Sequence, residues 1–189
     1  MKSNGIKIII IGIILAVLVI GYFYYIANKV EESQKKEEVV ESTLVQSVLL
    51  RDLDKNYPPS PKEVVKYFSE ISRCFYNEKY TEDELYELAM KIEGIYDDEL
   101  LANQTKEQYL KDLKSDIAEM KANDRSISSY EVSLSTDVEF FYEGEDYCAR
   151  LYCTYNIRQK TEILQSRVVF ILRQDEKKHW KILGWELDN

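Results

Sequence analysis

Few side chains in this sequence have the type and spacing to do chemistry. The single histidine, His179, follows Lys177 and Lys178 at a turn. A general base needs both a partner and a cleft, and spacing supplies neither, so a solvated histidine is expected there. The acidic run Asp97-Asp98-Glu99 offers oxygens to a cation. Consecutive carboxylates at a helix end diverge around its axis, however, and a solvated face is the expectation. Cys148 and Cys153 lie five residues apart on one predicted strand. At 3.3 Å per residue they are roughly 17 Å apart on opposite faces, too far to bond to each other. A disulfide to Cys74 is the one remaining possibility, although Cys74 shares a helical stripe with Ile71 and Phe75 and reads as a small buried hydrophobe. No glycine-rich phosphate loop, nucleophile elbow or paired-cysteine zinc spacing occurs. The expectation is a protein that is not an enzyme and needs no cofactor or metal.

The elements that position these residues are read from periodicity. Residues 127–187 divide at turn signals into four alternating segments, predicting an antiparallel sheet. In the first, Tyr130, Val132, Leu134, Thr136, Val138, Phe140 and Tyr142 share one parity, against Glu131, Ser133, Ser135, Asp137 and Glu139. The second sets Tyr147, Ala149, Leu151, Cys153, Tyr155 and Ile157 against Arg150, Tyr152, Thr154, Asn156 and Arg158. Such alternation means one wet face and one buried face. Strands at 162–174 and 179–187 follow, joined by the charged turn Asp175-Glu176-Lys177-Lys178.

Upstream, three helices are announced by capping boxes, in which a hydroxyl caps free amides and a Glu or Gln three residues on reaches back. Ser60 with Glu63 and Pro61 starts the first, with the stripe Val64, Phe68, Ile71 and Phe75. Thr81 with Glu84 starts the second, carrying Leu85, Leu88, Ala89, Ile92 and Ile95. Thr105 with Gln108 starts the third, carrying Tyr109, Leu113, Ile117 and Met120. A further stripe, Leu44, Val45, Val48, Leu49 and Leu53, ends before Tyr57-Pro58-Pro59.

Residues 8–27 carry no charge over twenty positions. A helix of that length spans roughly 30 Å, the thickness of a bilayer's hydrocarbon core. Lys2 and Lys7 precede it and Tyr22, Phe23, Tyr24 and Tyr25 cluster at its far end, as at a lipid-water interface. A bulky ring at Tyr25, in place of small residues, argues against cleavage as a signal peptide. The lysines flanking the span are balanced, so charge leaves its orientation open. The expected division is an anchor at 1–27, a charged stalk with an amphipathic helix at 28–57, and an α+β domain at 58–189.

Acidic residues outnumber basic ones 34 to 25. Such an excess repels phosphate backbones and excludes nucleic acid as a partner. The expected partners are the lipid bilayer, through residues 8–27, and a second copy or a membrane protein complex. The reason for the second lies in the late strands. Val168, Val169, Phe170, Ile171 and Leu172, then Trp180, Ile182, Leu183 and Trp185, put apolar groups on both parities, and helices cover one face only. Tyr152, Val169, Ile171, Leu183 and Trp185 are therefore candidate interface residues, covered by a partner or by residues 44–53 folding back. Tyr130 and Tyr155 are candidates for the inner face, beside Cys153.

Three helices followed by a sheet that closes on Val169-Phe170-Ile171-Leu172-Arg173 and Trp180-Lys181-Ile182-Leu183-Gly184-Trp185 resemble the nuclear transport factor two-like, cystatin-like cone superfamily over residues 60–189. The whole chain, with Asp52-Leu53 and Asn56-Tyr57-Pro58, resembles an uncharacterised family of bitopic membrane proteins of clostridial-type Gram-positive bacteria. The expected fold class is α+β, with an N-terminal transmembrane helix read from the uncharged run, then three helices packed on a four-stranded antiparallel sheet, whose cone-like curvature is what the first resemblance implies. Cone folds often insert a strand among the helices, and its absence here implies a shallow pocket or none. The expected function is a membrane-anchored, non-enzymatic, extracytoplasmic binding module. A scaffold of a secretion or conjugation-type complex and a small cone-fold hydrolase or isomerase are the alternatives.

Overall fold

The computed structural model describes residues 43–188. The expected transmembrane span at 8–27 lies outside the described residues. Among the described residues, no helix is long and apolar enough to cross a membrane.

Helix α1 (Leu44–Leu49) is followed by α2 (Pro61–Asn77), α3 (Glu82–Glu93), the single turn α4 (Asp98–Leu101) and α5 (Lys106–Ala122). Strands β1 (Arg125–Val132), β2 (Glu139–Glu143), β3 (Asp146–Gln159), β4 (Glu162–Gln174) and β5 (Trp180–Leu187) complete the domain. The expectation of three helices on a four-stranded sheet is thus corrected to five helices and five strands among the described residues. The sheet is antiparallel in the order β1-β3-β4-β5, with β2 also paired to β3.

The extra strand arises because the first alternating segment is broken. β1 ends with Val132 opposite Cys153, and β2 begins with Glu139 opposite Arg150, so both halves lie along the same edge of β3. Between them a short 3-10 turn, Ser135–Asp137, lifts Leu134 out to 64% exposure. Ser133 Oγ accepts from the Tyr152 amide and Thr136 Oγ1 donates to Asp137, so short polar side chains compete with the ladder here. Strand β3, rich in β-branched and aromatic residues without such competitors, keeps the expected alternation: Ala149, Leu151, Cys153 and Tyr155 are buried on one face.

All three expected caps are present. Ser60, Thr81 and Thr105 accept from the amides of Glu63, Glu84 and Gln108. Only Thr81 forms the reciprocal box, its amide donating to Glu84 Oε2 at 2.7 Å. Glu63 instead accepts from Lys66, and Gln108 donates to Asp112.

Helix α1 packs on α2 and α3, burying Val45 and Val48. Tyr67 donates to the Val48 carbonyl, Lys91 donates to the Arg51 carbonyl at 2.6 Å, and the Arg51 guanidinium lies 4.5 Å above the Tyr67 ring. Gly94 makes room for this segment, since a Cβ there would stand 3.0 Å from Leu53 Cδ1. The fold-back of residues 44–53 is therefore onto the helix layer, and it leaves the outer face of the sheet untouched.

The outer edge of β5 is covered by the loop before α4. Ile182 donates to the Ile95 carbonyl and Asp97 donates to the Ile182 carbonyl, adding a short parallel bridge at Tyr96. This protects an edge that would otherwise expose unpaired backbone groups.

Candidate functional site

A cleft of about 240 Å³ opens between α2, α3, α4, α5 and the end of β5. Its position follows from local rules. On α2, Phe68, Ser72, Phe75 and Tyr76 recur at the spacing of one helical face, as do Tyr109, Asp112, Leu113 and Asp116 on α5. Tyr96 enters from the loop stapled to β5. Trp185 enters from β5, where the register shift beyond Ile171 places Phe170 opposite Trp185 and turns that ring toward the helices.

Four lining rings, Phe68, Tyr96, Tyr109 and Trp185, form the floor, and Phe170 lies against them. Phe68 meets Phe170 at 5.2 Å, nearly edge-on, and Trp185 at 5.2 Å, while Tyr96 meets Trp185 at 5.7 Å. Tyr109 meets Tyr96 edge-on at 6.5 Å. These geometries are the offset and edge-to-face arrangements that ring quadrupoles favour. Trp185 is 45% exposed despite these contacts.

The ionisable groups of the cleft are acids and phenols. Burial, followed by the Asp116 carboxylate, pushes the Tyr76 hydroxyl up to about 12. Burial likewise raises Tyr96 and Tyr109, so all three phenols are neutral at physiological pH. Burial and then the neighbouring Glu119 and Asp112 carboxylates raise Asp116 above the usual aspartate range. Glu93 pairs with Lys106 at 3.7 Å, and Asp112 accepts from Gln108 at 2.7 Å. No lysine or arginine lines the cleft.

One support of this end of the molecule overturns a reading of the sequence. Asp97, expected on a solvated face, is only 6% exposed. Its carboxylate caps α4 through the Glu99 amide and takes the fork of Arg173, whose Nε donates to Oδ2 at 3.0 Å and whose second amine meets Oδ1. Glu99 and Asp146 join the same guanidinium at 3.3 and 3.1 Å. The acids converge because β4 brings Arg173 across the helix end, which chain spacing does not reveal. No group of residues able to hold a metal ion occurs among the described residues.

A second, shallower cleft of about 540 Å³ surrounds His179. The imidazole stacks on Tyr57 at 4.1 Å, and its Nδ1 lies 3.7 Å from Asp175 Oδ2. Asp175 is engaged in the turn, accepting from the amides of Lys177 and His179. Lys181 donates to the Gly94 carbonyl, and burial lowers its pKa. His179 thus has a partner and a cleft that the sequence did not disclose, yet its neighbours are occupied in holding the β4–β5 turn against residues 53–57.

The residues singled out from sequence scatter. Tyr155 is in the core, its hydroxyl 2.8 Å from that of Ser69 and its ring 6.4 Å from Tyr130. Tyr130 borders a groove shared with Lys62, Lys66 and Arg73. Tyr152 and Val169 are register partners on the outer face, and Ile171 lies farther along it, opposite Gly184. There the Arg167 guanidinium lies 4.1 Å over the Tyr152 ring, and Val169 is buried without a partner chain. Long basic side chains roof this face with their stems. Leu183 sits in the bulge and is half-buried. Of the set, Trp185 alone lines the aromatic cleft. Tyr76, Tyr96 and Tyr109 were missed as site residues, and the one available signal was a tyrosine content of 15.

The fold and this cleft define a class: an α+β domain whose helices and antiparallel sheet border a concave, ring-lined cleft. Within that class the chain belongs to the family described as Domain of unknown function (DUF6715), which matches residues 1–185. No curated protein matches the chain.

Proposed function

We propose that this protein is a membrane-anchored, non-enzymatic binding module, held in the bilayer through residues 8–27, with its folded domain outside the cytoplasmic membrane. The domain takes a small ligand into the cleft between α2, α5 and Trp185. The observation that carries this reading is the cleft wall: aromatic rings and neutral phenols line a concave space, which is what small-ligand sites use for affinity and orientation. Its described lining contains no cysteine or histidine and no hydroxyl–base pair of the kind that nucleophilic catalysis uses. The helix–sheet order also supports kinship with the nuclear transport factor two-like cones, a likeness of fold alone. The uncharged run at 8–27 supports the anchor.

Two measurements test it. Proteases added to intact cells degrade the domain if it is extracytoplasmic, and protection until lysis would overturn that placement. A small-molecule library is screened by thermal shift on the full-length chain and on Gln104→Trp, which puts bulk at the mouth of the cleft. Ligands that stabilise the parent and not the variant are expected. Ligands that act equally on both would place binding elsewhere.

A further inference from the structure

We infer that the ligand of the aromatic cleft is a small organic cation, a quaternary or tertiary ammonium of about choline's size; this rests on the reading of the cleft as a ligand site. Three independent features of the lining select that chemistry. The first is the clustering of the Tyr96, Tyr109 and Trp185 rings along one cleft, which offers a cation several quadrupoles within a short distance. They attract a cation most when it is desolvated, and a tetraalkylammonium, which cannot hydrogen-bond to water, gives up its hydration most readily.

The second feature is the carboxylates. Asp112 and Asp116 stand one turn apart on α5, where like charges repel. Asp116 has neither a cationic nor a hydrogen-bonding partner among the described residues, and its raised pKa records burial and the acids beside it. A bound cation removes this repulsion. The third feature is exclusion. No basic side chain lines the cleft, and Lys106, which is not among the lining residues, is already paired with the lining carboxylate of Glu93 at 3.7 Å. An anionic ligand would meet the carboxylates of Glu93, Asp112 and Asp116, and no lining cation. A neutral apolar ligand would leave the carboxylates unanswered. The volume of about 240 Å³ admits a trimethylammonium group with a short tail and no drug-sized molecule.

The test uses the full-length chain in a maltoside detergent, titrated calorimetrically with choline and with its neutral carbon analogue, in which a tert-butyl group replaces the trimethylammonium. Choline is expected to bind about 10-fold or more tightly than the analogue, the contribution of a desolvated cation–ring contact. Asp116→Asn is expected to lower choline affinity about fivefold and to leave the analogue unchanged. Vesicles of phosphatidylcholine added in competition separate two sources of the same chemistry: a free cation keeps its affinity in their presence, and a lipid headgroup displaces it. Equal binding of choline and analogue would overturn the cation assignment while leaving the cleft as a ligand site. Binding of neither, with Gln104→Trp still abolishing the thermal shift of other ligands, would overturn it in the same way. Loss of every difference between Gln104→Trp and the parent would instead remove the ligand site itself.

Discussion

Tyr155 and Tyr96 lie in the same buried layer between helices and sheet, and they end up in opposite situations. Tyr155 is met by a partner: Ser69 on α2 stands opposite its hydroxyl at 2.8 Å, with Cys153 beneath. Space there is filled, and the group is structural. Tyr96 is only 7% exposed, yet its ring and those of Tyr109 and Trp185 border a cleft. Both phenols are raised by burial. Burial and a shifted pKa therefore do not distinguish packing from function; whether a packed neighbour fills the space in front of the group does.

That contrast can be broken or sharpened by substitution. The largest effect is expected at the support of the Tyr96 end. Arg173→Ala leaves the Asp97 carboxylate buried without its guanidinium and should cost about 3 kcal/mol or more, read from urea unfolding. Because Asp97 follows Tyr96 directly, the same variant should open the cleft and lose ligand stabilisation, whereas a loss of stability with intact binding would show that the cleft does not depend on this pair.

A smaller effect separates the two tyrosines themselves. Tyr155→Phe removes a buried hydrogen bond and should destabilise by about 1 kcal/mol, the usual net worth of such a bond. Tyr96→Phe should cost less than about half of that, since its hydroxyl interacts with Tyr109 at the border of the cleft and not with a partner packed in front of it. Equal costs from chemical denaturation would erase the distinction.

The smallest effect concerns Asp116. Its folded pKa lies above the unfolded value, so the ionised form is the one penalised by folding. The stability associated with the protonated form is complete below the unfolded pKa of 3.8 and is lost as pH rises through the raised folded value. Asp116→Asn should therefore stabilise the unliganded protein at pH 7 by a few tenths of a kcal/mol, discounted for its solvent exposure. The gain should vanish in thermal melts taken below that window. A gain that is constant with pH would mean that the cause is helix propensity and not charge.

Much of the fold was legible from short-range chemistry. The hydroxyls of Ser60, Thr81 and Thr105 marked the helix starts, because a capping bond closes within a few residues and needs nothing from the rest of the chain. The parity of β3 was legible for a similar reason, since a strand between two others keeps its pleat and its alternation reports burial directly. The parity of the segments on either side was less secure. At the β1–β2 edge the ladder is interrupted: Ser133 Oγ takes the Tyr152 amide, and Thr136 and Asp137 bond locally in a short 3-10 turn.

Only the tertiary structure decided where the chemistry gathers. A one-residue register shift flips every side chain beyond it, and the shift between Ile171 and Leu172 moved Trp185 from the expected outer face into the cleft. Asp97 became a buried partner of Arg173 across 76 residues of sequence. Tyr76, Tyr96 and Tyr109, spread over a helix, a loop and another helix, came to line one space. The sequence by itself determined the caps, the strand alternation and the acidic balance, because each depends on neighbours along the chain or on composition. Convergence depends on how twisted layers meet, which is set by packing between elements and leaves no periodic trace in any one of them.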